Sequence, residues 1–143
     1  MTERVQLANT IYRLGHIERI LIDRELAPYH LRMNHARVLN YINHHPGSSQ
    51  IELAHYLDYQ QASLTNLINQ LEKKEMIIRR SDPENGRLKH LFLLENGKKL
   101  VKRTDKIFDD LNDLMVDIDP KFNQLLEEKV DYLREKLRSN NFN

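Results

Sequence analysis

Apolar residues recur at steps of three and four along most of this chain, and that spacing restricts it to a mainly helical fold. Breaks divide the pattern: Pro28 is predicted to end a first helix after Leu26, HHPG (44–47) ends a second, and Pro120 separates the last two. The spacing therefore predicts six helices, the fifth running from beyond Gly97 as far as Ile118. The final residues, SNNFN, are predicted to form a frayed tail.

A short third helix has a clear start signal. Ser49 and Glu52 have the spacing of a capping box, in which the serine accepts a backbone N–H and the glutamate reaches back to the serine N–H. The apolar residues behind it are expected to face inward; they are Ile51, Leu53, Ala54 and Leu57. Asp58-Tyr59-Gln60 is expected to turn the chain into a fourth helix.

A β-hairpin interrupts the helical pattern. IIRRS (77–81) and LKHLFLL (88–94) flank Asn85-Gly86, the dipeptide that most readily forms a type I′ turn. Arg87 follows the turn directly and Lys89 lies two residues later, so the hairpin tip carries cations. The predicted fold class is therefore mainly α with a small β-hairpin wing.

Composition excludes several classes of protein. The 143 residues are 40% hydrophobic and 30% charged, contain no cysteine, and carry a net charge of +1. Such a chain has no disulfide, thiolate metal site or cysteine nucleophile. The start of the sequence lacks the apolar run of a signal peptide, and no stretch approaches a membrane span, so a cytoplasmic protein without membrane association is expected.

A short helix, a tight turn, a second helix and a charged hairpin is the order of a winged helix-turn-helix. At about 100° per residue, the face of the fourth helix opposite its apolar stripe is polar and free of acids, as suits the major groove of double-stranded DNA. The alternative is that this face is an ordinary solvent-exposed polar surface without a binding role. The candidate DNA contacts are Gln61, Ala62, Ser63, Thr65, Asn66, Asn69 and Lys73 on that helix, with Arg87 and Lys89 on the wing.

Three stretches carry a family resemblance. LEKKEMI (71–77), DPENGR (82–87) and LLENG (93–97) resemble motifs of the MarR family of bacterial transcriptional regulators. The resemblance implies one domain, 1–143, with a winged helix-turn-helix DNA-binding region at 30–95. It also implies a homodimer on a palindromic operator, held together by helical regions at 1–28 and 97–138.

The resemblance assigns a dimer interface to apolar residues of the first and last helices. These residues are Leu7, Ile11, Leu14, Phe122, Leu126, Val130, Leu133 and Leu137. Alternatively, these apolar residues could close the core of a monomer. One domain of this layout needs fewer apolar positions, however, so a dimer is favoured.

Some positions depart from the family pattern. Glu75 replaces the usual glycine at the helix end, Leu94 replaces a capping threonine, and Asn66 stands where a cation is frequent. Asn85 replaces the aspartate that braces the family arginine matched by Arg87. The Asn-Gly turn is therefore expected to hold the wing in place of an ion pair.

Histidines invite a second interpretation. His30, His35, His44 and His45 surround the second helix, where some MarR relatives sense zinc. Those relatives also place histidines on the helix after the wing, and TDKIFDDLN (104–112) has none, so surface or core histidines are the default. A Gly-rich phosphate loop, a nucleophile elbow and HExxH are all absent from the sequence, so neither an enzyme nor a bound cofactor is expected.

The resemblance also implies an effector, since relatives release DNA when a small phenolic or other lipophilic molecule enters the crevice beside the winged region. His16, Tyr29 and His30 fall near that crevice, although capping of a core is their more ordinary role. A winged-helix scaffold that binds protein is the remaining alternative. Salt dependence separates the two, because affinity for duplex DNA falls steeply as salt rises.

Overall fold

The computed structural model describes residues 3–139, with side chains from residue 6 onward. Most of the predicted tail lies outside these residues. The described chain is mainly helical with one small antiparallel sheet, which confirms the predicted fold class. Its helices are α1 (Glu3–Leu26), α2 (Met33–His44), α3 (Gln50–Leu57), α4 (Gln61–Lys73), α5 (Glu95–Asp113) and α6 (Pro120–Arg138), and a 3₁₀ turn spans Ala27–Tyr29.

Two compact units divide the described residues within α5, after Ile107. The first contains α1 to α4, the sheet and the first part of α5. The second contains the end of α5 and α6. The predicted division into a region at 30–95 and flanking helical regions stays a prediction.

Helix boundaries follow the local signals in most places. Ser49 and Glu52 form the predicted capping box, the Ser49 hydroxyl accepting from Glu52 N–H and the Glu52 carboxylate from Ser49 N–H. The inward placement of Ile51 was wrong: its side chain is 67% exposed. On an eight-residue helix, Leu53, Ala54 and Leu57 already fill the side that faces the core, and Ile51 lies outside that face.

The fifth helix is shorter than predicted. It ends at Asp113, and Leu114 and Ile118 lie in turns instead. Three acids lie in or near its final turn, where they oppose the negative end of the helix dipole. Asp109, Asp110 and Asp113 are those acids, and they favour termination.

The sheet has three strands in the order β1-β3-β2, where β1 is Ser48–Ser49, β2 is Ile77–Ser81 and β3 is Lys89–Leu93. β2 and β3 pair antiparallel as the predicted hairpin, with Arg79 opposite Leu91. β1 pairs with the other edge of β3, Ser48 lying opposite Leu91. The sequence pattern did not predict β1, because two serines carry no strand signal.

The hairpin tip differs from the prediction. Asn85 and Gly86 both have negative φ, so the type I′ turn is wrong. The connection is a seven-residue loop in which the Asp82 carboxylate accepts from the backbone N–H groups of Glu84 and Asn85. Leu88 N–H closes a second turn onto the Asn85 carbonyl. An Asx turn at Asp82 therefore replaces the expected tight dipeptide turn, because an aspartate at this position supplies its own acceptor.

The helix-turn-helix packs around a core that α2, α3, α4 and the sheet share. Its fully buried members include Leu39, Ile42, Leu53, Leu64, Ile68, Leu71 and Leu91. Two helices end on left-handed residues, Asp58 (φ 56°) after α3 and Glu75 (φ 55°) after α4. Glu75 occupies a conformation that favours glycine, so its departure from the family pattern costs stability.

Candidate nucleic-acid interface

The outer face of α4 collects the predicted DNA contacts. Six of the seven are exposed, and Thr65 is partly buried. Glu72 is the single acid of the helix, and it is paired with Arg79 of β2. The face therefore presents hydroxyl, amide, methyl and ammonium groups without an unpaired carboxylate, as reading of base edges and phosphates requires.

Gln50 braces the start of α4, and sequence reasoning did not include it. Its amide nitrogen donates to Thr65 Oγ1 at 2.7 Å and to Gln61 Oε1 at 3.3 Å. Gln50 is the first residue of α3, next to the capping box, and that position was the available signal. These two bonds link α3 to α4 and hold two of the candidate DNA contacts in place.

A second brace links α4 to β2. The Arg79 guanidinium donates to both carboxylate oxygens of Glu72, at 3.0 and 3.1 Å, and to Asn69 Oδ1 at 2.7 Å. The Arg79 hydrogen bonds hold the pKa of Glu72 below its usual value, although partial burial acts in the opposite direction. The same bonds raise the pKa of Arg79. Both shifts favour the charged forms, so the pair is ionised at neutral pH.

α4 is also fixed against α2. His35 Nδ1 accepts from the backbone N–H of Arg32 at 3.1 Å, so its proton lies on Nε2. Nε2 then donates to Gln70 Oε1 at 2.6 Å. Tyr59, in the turn between α3 and α4, donates to Asn34 Oδ1 at 2.8 Å. These bonds give the exposed face of α4 a rigid base.

The wing presents Arg87 outward. Its side chain is exposed and has no hydrogen-bond or ion-pair partner among residues 3–139. Its backbone N–H is held by Asn85 Oδ1 at 3.2 Å. Lys89, also exposed, bonds across the hairpin to Ser81 Oγ at 2.6 Å. Arg87 is thus the wing cation best placed to reach a partner, and Lys89 is partly engaged in holding the hairpin.

An ion pair at the base of the wing replaces the missing family brace. His90 Nε2 lies 2.8 Å from Asp82 Oδ2, and His90 Nδ1 lies 2.7 Å from the Gly47 carbonyl. Both partners are acceptors, so both ring nitrogens donate only when the imidazole is protonated. The bond to Asp82, followed by the bond to Gly47, raises the pKa of His90. The His90 bond also lowers the pKa of Asp82. The expectation that the Asn-Gly turn alone holds the wing was therefore wrong.

This brace makes the wing sensitive to pH. Because its pKa is raised, His90 contributes stability below its ordinary pKa of about 6.5, and the contribution is lost as pH rises through the raised value. Because the pKa of Asp82 is lowered, its contribution is lost only as acid protonates it. We expect Asp82→Asn to lower the midpoint of the His90 imidazole titration measured by NMR. Glu84→Gln removes the same charge from the same loop without touching His90 and is the control. Equal midpoints in wild type and Asp82→Asn would contradict the brace.

A cavity of about 580 Å³ opens beside the first part of α5. Tyr29, Met76 and Leu100 provide its apolar and aromatic lining, and Lys99, Lys102 and Arg103 contribute cations. The Arg103 guanidinium lies 5.4 Å from the centre of the Tyr29 ring. Of the three predicted ligand contacts, Tyr29 lines this cavity and His16 and His30 do not.

The histidines around α2, which were the alternative zinc ligands, make other contacts. His44 Nδ1 and His45 Nδ1 bond to backbone carbonyls of α2, and both nitrogens of His35 are engaged. Among residues 3–139, no three His, Cys, Asp or Glu side chains come together as a metal site would require. None of the helices in that range is both long and apolar enough to cross a membrane.

The three-stranded sheet, the helix pair and the charged wing define a winged helix-turn-helix protein. Residues 29–88 match the sequence model of the MarR family. The match covers α2 to β2 and the wing loop, and it bears out the resemblance carried by LEKKEMI (71–77) and DPENGR (82–87); LLENG (93–97) lies outside it.

Solved structures show the same fold over nearly the whole chain. The crystal structure of S. aureus MepR in complex with DNA is 22% identical, with a TM-score of 0.79 over 95% of this chain and 98% of MepR. Streptococcus pneumoniae FabT in complex with DNA is 13% identical, with a TM-score of 0.77 over 96% and 99%. The reduced form of MarR from E. coli is 18% identical, with a TM-score of 0.72 over 89% and 95%.

Proposed function

We propose that this protein is a sequence-specific, DNA-binding transcriptional regulator that acts in the cytoplasm and is not an enzyme. The observation that carries the proposal is the outer face of α4, which is polar, exposed and free of unpaired acids, together with Arg87 on the wing. The match of residues 29–88 to the MarR family model and the DNA complexes of MepR and FabT support it. In this reading α4 enters the major groove and the wing follows the backbone toward the minor groove.

We further propose that the protein binds a palindromic operator as a homodimer and represses transcription. Support comes from α1 and α6, which carry large apolar side chains that the single chain leaves exposed. Among them are Leu7, Ile11, Leu14, Phe122, Val130, Leu133 and Leu137. A second copy covers such surface, and two-fold symmetry then presents two winged regions to two half-sites.

Arg87→Ala tests the DNA-binding role of the wing. We expect weaker operator binding and a salt dependence flatter by about one unit of slope, because one cation no longer displaces counterions from the duplex. The loss should be largest on operators with A·T-rich flanks, where the minor groove is narrow. Fluorescence anisotropy at several salt concentrations measures both quantities on duplexes recovered by selection.

Glu84→Ala is the control. It also truncates an exposed charged side chain of the wing loop, but the charge that it removes is negative. Unchanged affinity and slope for Arg87→Ala on both A·T-rich and G·C-rich flanks would show that this cation is only a solvated surface charge. If the binding of wild type to duplex DNA does not weaken as salt rises, the alternative of a protein-binding scaffold is favoured.

We also propose that a small phenolic or other lipophilic effector occupies the cavity beside α5. The aromatic lining by Tyr29 suits a ring, and Lys99, Lys102 and Arg103 favour an effector that carries a negative charge. Calorimetric titration with benzoate, and with benzyl alcohol as the uncharged counterpart, tests this proposal. We expect a heat of binding for benzoate and a smaller one for benzyl alcohol. Equal heats for both compounds, or no heat for either, would contradict an anion-selective site.

A further inference from the structure

Arg79 determines which way the amide of Asn69 points. The guanidinium has only donors, so the atom of Asn69 that lies 2.7 Å from it must be the carbonyl oxygen. Two bonds that the guanidinium donates to the Glu72 carboxylate fix the guanidinium itself. A reversed amide would place its NH₂ group against the guanidinium, donor against donor. The oxygen is thereby held toward β2, and the NH₂ group is left to face outward.

This orientation changes what Asn69 is able to read. Recognition of adenine requires an asparagine to present an acceptor and a donor together, toward N6–H₂ and N7. Asn69 Oδ1 already accepts from Arg79 and is directed toward β2, whereas both N–H donors of Asn69 are free. Bidentate pairing with adenine is therefore disfavoured, because the oxygen would have to serve the guanidinium and the base together. Guanine offers two neighbouring acceptors in the major groove, O6 and N7, whereas cytosine offers a donor and adenine places a donor beside its one acceptor.

We propose that Asn69, oriented by the Arg79–Glu72 pair, is a donor-only contact that selects guanine over adenine in the bound duplex. The inference rests on the proposed function and adds the base preference and the residue that sets it. Arg79 is a positioning residue in this scheme, since it acts on DNA through Asn69.

Asn66, one turn earlier on α4, provides the contrast. Its side-chain amide has no hydrogen-bond partner in the part of the chain that the structure describes, and it is exposed. It is therefore free to rotate and to offer both an acceptor and a donor, as adenine requires. The two asparagines on this helix face thus have different base preferences, because only one of them is held.

Selection from a random duplex library followed by sequencing tests the proposal with four forms of the protein. Wild type should recover a consensus in which one position per half-site favours guanine over adenine by about 5- to 150-fold. Asn69→Ala should lose that preference and so identify the position. Arg79→Met should shift the position toward adenine, because the released amide is able to present both groups.

Arg80→Met is the matched control. It removes the same charge from the next residue of β2, whose guanidinium lies over Phe92 and not beside Asn69, so its consensus should match wild type. Circular dichroism and urea midpoints check that each variant is folded. If Arg79→Met proves unstable, Asn69→Asp takes its place: a carboxylate still accepts from Arg79 but has no donor for guanine, so the guanine preference should disappear.

Two results would overturn this inference and leave the proposed function intact. One is that Arg79→Met selects the same consensus as wild type. The other is that Asn69→Ala keeps the preference for guanine. Failure of the proposed function has a different signature, because wild type would then recover no consensus at all, and the inference would fall with it.

Discussion

Val130→Asp combined with Leu133→Asp is expected to convert the protein to a monomer at about 10 µM and to weaken association by more than about a hundredfold. The two side chains are 46% and 54% exposed in the single chain, and no described residue of α6 is buried. In a dimer that covers this surface, each aspartate becomes an unpaired charge in an apolar contact, which costs about 3–5 kcal/mol. Sedimentation equilibrium measures the dissociation constant directly.

Lys121→Gln combined with Gln124→Glu is the control for this variant. It changes the net charge by the same two units on the far side of α6, about 150° from the Val130–Leu133 direction at about 100° per residue, and should leave association intact. Because two half-sites require two winged regions, the monomeric variant should also lose operator affinity. Wild type that sediments as a monomer, or a double aspartate variant that remains dimeric, would show that these stripes are not an interface.

Gly97→Ala is expected to destabilise the fold by about 2–3 kcal/mol. Gly97 is buried in the first turn of α5, and a Cβ at this position would overlap the carbonyl oxygen of Met76. That carbonyl accepts from Leu94 N–H at 2.8 Å and joins the start of α5 to the end of the helix-turn-helix. To make room for a methyl group, the backbone of α5 at Gly97 has to move away from the backbone at Met76. The glycine of the LLENG motif is therefore a packing requirement.

Urea denaturation followed by circular dichroism measures the loss. Gly86→Ala is the control, since a Cβ there meets nothing within 4 Å and the backbone φ is negative. We expect Gly86→Ala to leave the midpoint close to that of wild type. A Gly97→Ala midpoint equal to that of Gly86→Ala would show that α5 shifts without cost.

Local rules were sufficient to predict most elements of this fold. The capping box at Ser49 and Glu52 and the stop at Pro28 depend on residues a few positions apart, so both could be read directly. The errors arose where local signals compete. Asn85-Gly86 favours a type I′ turn. The carboxylate of Asp82 accepts hydrogen bonds from the backbone N–H groups of Glu84 and Asn85 instead, and so forms an Asx turn.

The exposed face of α4 was also predictable, because helical period alone separates Asn66, Asn69 and Lys73 from the buried stripe. Roles within that face were not. Periodicity treats Asn66 and Asn69 as equivalent, and the difference between them comes from Arg79, which reaches Asn69 only once β2 lies against the helix.

The sequence by itself determined the class of fold, the helices and the position of the wing, through patterns that repeat within one or two turns of chain. Only the tertiary structure decided that Ser48 and Ser49 form a strand, that Gln50 braces Thr65, and that His90 joins the wing to Gly47. Each of these is a contact between residues distant in sequence, 43 positions apart for His90 and Gly47. Hydrogen bonds act over about 3 Å, so they depend on which atoms the folded backbone brings together and leave no period in the sequence.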